Sequence, residues 1–234
     1  MTAVLELDGV SKDYRALRPL RIQRLSIAPG ESVAVLGLDR AAAEVLVNLI
    51  TGAALPDAGA IRVFGRATSA IADADDWLAT VDRFGIVTER AVLLEQLSVV
   101  QNLAMPFSLE IEPPTADVRR RAVALAGEVG LAEPASERRV GDLDAAGRLR
   151  VRLGRALALD PALLLLEHAS AGLPDADADE AGRTIRAVAA RRGAAVLAAA
   201  ADERFARAVA DRVLTLEPAS GRLREPGFRG WFQR

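Results

Sequence analysis

Two stretches of this chain place polar residues where chemistry could be done. In the first, Ala28 to Gly52, a turn leads into the apolar run Ser32–Leu36, then Gly37, then an amphipathic stretch that ends at Gly52. A glycine between a buried strand and a helix start is the arrangement that cradles phosphate, because backbone N–H groups and the positive end of the helix face one point. In the second, four leucines, Leu163 to Leu166, are followed directly by Glu167 and His168. A carboxylate and an imidazole at the end of a buried strand could bind a metal ion or move a proton. The inventory of reactive groups is otherwise thin. There is no cysteine, which excludes disulfides, thiolate metal sites and a cysteine nucleophile. His168 is the only histidine, so no multi-histidine metal cage can form. Lys12 is the only lysine, and every other basic residue is arginine.

The elements that must position these groups are read from patterning. Short apolar runs alternate with amphipathic stretches, which predicts an α/β fold with a largely parallel sheet. Strands are expected at Val4–Leu7, Ile22–Ala28, Ser32–Leu36, Ala60–Phe64, Phe84–Val87, Leu163–Leu166, Ala195–Ala198 and Arg212–Leu216. Helices are expected at Arg40–Thr51, Val99–Leu109, Thr115–Val129, Ala145–Leu159, Ala178–Arg191 and Glu203–Val209. From about Glu89 to Arg155 strand signals are almost absent, so this third reads as a helical insertion into an α/β core. At 234 residues the chain is long enough to bury one large core. About a fifth of it is alanine, a bias more typical of a GC-rich genome than of a function. The net charge of -2 and the acidic isoelectric point of 5.6 argue against a dedicated nucleic-acid binder. No apolar run approaches the roughly 20 residues that span a bilayer. The acidic N-terminus, MTAVLELDGV, does not read as a signal peptide. The C-terminal PGFRGWFQR is aromatic and basic, and reads as a docking tail or a packed end.

APGESVAVLG (Ala28 to Gly37) followed by LDRAAAEVLVNLITG, and later DLDAAGRLRVRLGRALALDPALLLLEHASAGL (Asp142 to Leu173), together resemble the nucleotide-binding domain of ATP-binding-cassette (ABC) transporters. FGIVTERAVLLEQLSVVQNLAMP (Phe84 to Pro106) resembles that family's Q-loop and the helical region after it. Its "NLAMP" ending is similar to the lipoprotein-release and macrolide-exporter branch. Gly193 to Leu223 resembles the closing strand, the switch-histidine loop and the last hairpin. The resemblance covers nearly the whole chain in order. It implies one cassette domain over 1–234: a P-loop NTPase (RecA-like) α/β core at about 1–88 and 156–234, an N-terminal antiparallel β subdomain, and a helical subdomain at about 89–155.

The resemblance also assigns roles, position by position, and most of the polar ones are replaced. The phosphate loop, G-x-x-x-x-G-K-[ST], falls on Gly37 to Glu44. Gly37 is kept, but Arg40 and Ala42 stand in glycine positions, Ala43 in the lysine position and Glu44 in that of the magnesium hydroxyl. The Q-loop glutamine is Glu89, the Walker-B aspartate is Glu167, the catalytic glutamate is His168, and the switch histidine falls on Ala201. The family's magnesium positions are thus Glu44, Glu89 and Glu167. The signature Leu-Ser-Gly-Gly-Gln is Leu143-Asp144-Ala145-Ala146-Gly147, so an acid, Asp144, would face the partner's phosphate. The D-loop aspartate is Pro174, with Asp175 displaced by one. Tyr14 sits where the family stacks an aromatic on adenine, or else packs. Asp39 is a good helix N-cap, expected to satisfy the helix start that would hold phosphate. Glu167 is read as capping the next helix. Arginines 138, 139, 148, 150, 152 and 155 are read mainly as a solvated helical face, with a partner surface as the alternative.

Taken together, these positions predict a degenerate cassette subunit, a pseudo-ATPase with a structural or regulatory role in a membrane transporter. ATP and Mg²⁺ are the family's cofactors but are not expected to be turned over here. The partners implied are a transmembrane permease and, as a heterodimer mate, an intact cassette ATPase. The expected location is the inner face of the cell membrane. Two readings compete with this one: a working transporter ATPase, and a soluble regulatory module that reuses the fold.

Overall fold

The computed structural model describes residues 2–225, so the aromatic and basic C-terminal stretch lies outside the described residues. In chain order the elements are β1 (Leu5–Lys12), β2 (Leu20–Ile27), β3 (Ser32–Leu36), α1 (Arg40–Ile50), β4 (Ala58–Val63), β5 (Arg66–Ala67), α2 (Ala74–Val81), β6 (Phe84–Thr88), α3 (Val99–Ala104), α4 (Ala116–Glu128), α5 (Ala145–Leu157), β7 (Leu163–Glu167), α6 (Asp175–Arg192), β8 (Ala195–Ala200), α7 (Glu203–Val209), β9 (Arg212–Glu217) and β10 (Arg222–Arg224).

Two sheets form. The first is antiparallel, in the order β2-β1-β4-β5. The second runs β10-β9-β3-β8-β7-β6; its strands are parallel except for the β9–β10 hairpin. The parallel strands read as continuous apolar runs because both of their faces are covered. Side chains alternate across the sheet. Leu163, Leu165, Val33, Val35 and Leu197 pack into the core shared with α1 and the antiparallel sheet. Leu164, Leu166, Ala34, Val196 and Ala198 pack into the core shared with helices α3 to α7. The fold is therefore the expected mixed α/β arrangement, with an antiparallel N-terminal sheet and helices α3, α4 and α5 inserted between β6 and β7.

Several boundaries differ from the sequence expectation, each for a local reason. α3 stops at Ala104 rather than Leu109, because Pro106 has no N–H to donate to a continuing helix, although Met105 still has helical backbone angles. The chain turns there, with the Phe107 and Ser108 N–H groups both donating to the Ala104 carbonyl, at 2.9 and 3.2 Å. α6 begins at Asp175, three residues before the first expected position; its acidic first turn suits the positive helix end. α2 was not anticipated. It buries no residue completely, so it leaves no apolar stripe, and its visible signal is Asp73 accepting from the Asp76 N–H at 2.9 Å.

Candidate functional site

The C-terminal ends of β3, β8, β7 and β6 follow one another along the parallel sheet, the edge where open α/β sheets place their ligands. β3 delivers Gly37. Its φ of +88° favours glycine, and an added Cβ would come within 3.0 Å of the Leu216 carbonyl oxygen. Two residues on, Asp39 caps α1 as expected: its Oδ1 accepts from the Ala42 N–H at 2.7 Å. A cap of this kind stabilises a helix by about 1 kcal/mol. It also uses a backbone donor that a phosphate would otherwise take. Ala43, in the lysine position, is completely buried in the core.

Glu44 points from the first turns of α1 toward the loop after β6, where Arg90 meets it. The Arg90 Nη1 donates to Glu44 at 2.5 Å. The same guanidinium forks onto Glu167 at the end of β7: Nε donates to Oε1 at 3.1 Å and Nη2 to Oε2 at 2.6 Å. The Glu167 side chain is only 8% exposed. The paired carboxylate holds the Arg90 guanidinium above its ordinary pKa, chiefly through this hydrogen bond. Glu89 is paired as well, with Arg40 at 3.2 Å. Glu167 therefore does not cap the following helix, as the sequence suggested. α6 starts eight residues later, with Pro174 at its N-cap. Arg90 is the residue that sequence reasoning missed. A usable signal existed: two carboxylates, Glu44 and Glu167, in adjoining metal positions require a compensating cation.

The donor set tests whether Mg²⁺ fits. Magnesium needs several free oxygens in near-octahedral geometry. Here both oxygens of Glu167 and one of Glu44 accept from a guanidinium that would also repel a divalent ion at this spot. Glu44, Glu89 and Glu167, as paired here, do not fit the ion.

The remaining positions are placed as follows. His168 is buried with a positive φ of 46°. Its N–H donates to the Ala199 carbonyl at 2.9 Å, while its side-chain Nε2 is buried without a partner among the described residues. Ala201 is exposed just after β8, and Asp202 caps α7 by accepting from the Arg204 and Phe205 N–H groups at 2.9 and 3.1 Å. Tyr14 is half-buried against the core and lines a cavity of about 490 Å³ with Leu20, Gly37, Leu38, Asp39 and Leu216. Burial, then the nearby Asp39 charge, pushes its phenol pKa up. Lys12 is engaged elsewhere, with Asp57 at 2.7 Å. The signature position Asp144 caps α5, accepting from the Gly147 N–H at 2.7 Å; Ala145 is exposed and Ala146 half-buried. Ala145 and Glu89 line one cleft of about 220 Å³, so the structure brings these two positions together.

The arginines around α5 are not simply a solvated face. Arg138 donates to the Asp142 carbonyl at 2.7 Å and Arg148 to that of Gly141 at 3.0 Å, while Arg150 pairs with Glu180 at 2.6 Å. Arg155 donates to the Val92 carbonyl at 2.6 Å and Arg152 to that of Ala91 at 3.4 Å. Burial lowers the pKa of both Arg152 and Arg155. They hold the segment after β6 against α5. Beside it, Phe84, Ile86, Met105, Pro106 and Leu159, together with Arg152 and Arg155, line a groove of about 410 Å³ with more apolar than polar surface.

A sheet edge built around a glycine turn and a capped helix, with helices inserted between β6 and β7, defines a nucleotide-binding-cassette architecture. The ABC transporter family model matches residues 20–171. The chain belongs to that family. It is 33% identical to the lipoprotein-releasing system ATP-binding protein LolD of Maricaulis maris over 227 residues, covering 94% of this chain and 96% of that protein. It is 28% identical to the methionine import ATP-binding protein MetN of Brucella abortus, covering 92% of this chain but 57% of that one, so it spans little more than half of that relative's length. In structure it is similar to cbiO1 of Clostridium perfringens, described as part of the ABC transporter complex cbiONQ. The TM-score is 0.80 at 19% identity, covering 96% of this chain and 88% of that one, a likeness of fold alone.

Proposed function

We propose that this chain is a pseudo-ATPase cassette: a structural or regulatory subunit of a membrane transporter that has lost ATP turnover. The observation that carries this reading is the phosphate loop. Asp39 occupies the Ala42 N–H, and buried Ala43 stands where a lysine would reach the phosphates. Phosphoryl transfer depends on positioning and charge stabilisation. A triphosphate arriving here meets a carboxylate cap, and like charges at a few ångströms in a partly buried site cost on the order of several kcal/mol. Asp144 caps α5 in the same way at the signature position, so the half-site offered to a partner cassette is also acidic. A homodimer would then hold two silent sites, and an intact cassette ATPase as heterodimer mate would leave one site with a weakened signature.

The apolar groove beside Met105, Pro106 and Leu159 supports docking on a transmembrane permease at the inner face of the cell membrane. Among the described residues no helix is long and apolar enough to cross a membrane. The cavity beside Tyr14 favours one competing reading, a subunit that still binds nucleotide through its base. Titration calorimetry with MgATP, alone and with a permease fraction, separates the two. No heat of binding and no phosphate release are expected; micromolar binding with turnover would refute the pseudo-ATPase reading.

A further inference from the structure

We propose that Arg90 is a resident cation: its guanidinium serves Glu44 and Glu167 in place of a divalent ion, and so presets the segment after β6 without nucleotide. The proposal follows from the misfit between the acidic positions and Mg²⁺, and its purpose, a preset docking segment, rests on the pseudo-ATPase reading.

Three parts of the fold meet at this one side chain. Glu44 belongs to α1, Glu167 ends β7, and Arg90 lies two residues beyond β6. The pairings span 46 and 77 residues of sequence, so the guanidinium cross-links the sheet edge to the phosphate-loop helix. Its geometry toward Glu167 is the two-pronged fork that only arginine offers a carboxylate. Glu167 is nearly buried, and a buried carboxylate must be paired, protonated or bound to a metal. Arg90 supplies the pairing from within the chain.

The backbone that carries Arg90 is held from the other side as well. The carbonyls of Ala91 and Val92 accept from Arg152 and Arg155 on α5. The Arg90 N–H donates to Thr88 Oγ1 at 3.2 Å and that of Ala91 to the Thr88 carbonyl at 3.2 Å. The segment that borders the groove is thus fixed between the sheet edge and α5 by three arginines, with Thr88 holding its start. A fixed positive charge needs neither ion nor nucleotide to hold this arrangement, and no hydrolysis step releases it. Arg90 is a positioning residue in this scheme.

The test uses the full chain without nucleotide, with Mn²⁺ as the probe. Water-proton relaxation should detect no Mn²⁺ site in the wild type at millimolar ion. Arg90→Ala uncovers Glu167 and Glu44 and should gain one, which Glu167→Gln in the same background removes. Hydrogen exchange of the peptide covering 88–94 should speed up on the order of tenfold in Arg90→Ala. Arg90→Lys, a single point charge, should recover part of that protection and still exclude Mn²⁺. Should Arg90→Ala fail to fold, the Arg90→Lys and Glu44→Gln variants carry the exchange measurement, each with a smaller rise. Mn²⁺ binding to the wild type as tight as to the variant would overturn the proposal. So would exchange of 88–94 that is unchanged in every variant. Binding of MgATP by the wild type would count against the pseudo-ATPase reading, whereas these nucleotide-free measurements judge Arg90 by itself.

Discussion

The sheet edge at Gly37, Glu89 and Glu167 and the groove between β6 and α5 lie on either side of one short segment, residues 89–92, and they are opposite in character. At the edge, charges are answered from within: Glu44 and Glu167 by Arg90, Glu89 by Arg40, and the start of α1 by Asp39. In and beside the groove, apolar surface is left uncovered, with Val92 74% and Leu159 50% exposed. Carboxylates and helix N–H groups that are already paired offer a ligand little to gain by replacing them. Uncovered apolar surface does the reverse, because a partner that covers it gains free energy in proportion to the area removed from water. The carboxylates of the edge are paired within the chain, while apolar surface at the groove is exposed.

The sharpest way to break this contrast is to reinstate the missing charge at the edge. Ala43→Lys places an ammonium at a completely buried position in the core that α1 shares with β7 and the antiparallel sheet. The expected cost is about 3 kcal/mol or more in urea unfolding, with no gain of MgATP binding. A variant that is both stable and able to bind nucleotide would show that the edge is not self-contained.

A second prediction concerns the tie between the inserted helices and the core. Arg192 of α6 forks onto Glu128 of α4, at 2.8 and 2.6 Å, with both side chains largely buried. The hydrogen bond from Arg192 is the main cause holding the Glu128 carboxyl below its ordinary pKa. A depressed carboxylate pKa contributes stability that is complete above the unfolded value and is lost as pH falls through the folded one. Glu128→Gln should therefore lower stability by about 1–2 kcal/mol near neutral pH and flatten the acid limb of the stability profile, in urea titrations from neutral to acid.

The frame was legible from sequence, and much of the wiring was not. Ser32–Leu36 and Glu203–Val209 were bounded correctly because each combines a clear period with a sharp local signal, a turn before the strand and Asp202 capping the helix. The Asp39 cap was legible for the same reason: its hydrogen bond closes within three residues. Arg90 was not, because its partners are 46 and 77 residues away and are joined to it only by the order of strands in the sheet. The same holds for Arg152 and Arg155. An arginine on an amphipathic helix reads as solvated, and only the fold shows that a carbonyl of the loop after β6 lies within reach. Local chemistry is written in local sequence, whereas long-range charge pairing depends on topology.

Smaller effects sharpen the comparison at the two capped helix starts. Asp39→Ala and Asp144→Ala each remove one side-chain acceptor and should each cost about 1 kcal/mol. They differ in their surroundings: the loop holding Asp39 opens onto the cavity beside Tyr14, whereas Asp144 has exposed Ala145 after it. Asp39→Ala should also let the Tyr14 phenol titrate at lower pH, since the neighbouring negative charge is one cause of its raised value. An ultraviolet titration of this single tyrosine reads the shift directly, and an unchanged titration would separate Asp39 from the cavity.

The smallest change in stability is expected at the groove, where the functional effect should be the clearest. Leu159 is half exposed at the groove and Val92 more so beside it, so Leu159→Glu and Val92→Glu should each alter unfolding free energy by no more than about 0.5 kcal/mol. A carboxylate there makes covering the surface costly, because a partner would have to desolvate it without a paired charge. The wild type should sediment with membranes that carry its permease, and the double variant should remain in the supernatant while folded. Equal sedimentation of both would move the docking surface away from this groove. Loss confined to an Arg155→Ala variant, which frees the Val92 carbonyl, would instead assign docking to the shape of the 89–92 backbone rather than to the apolar side chains beside it.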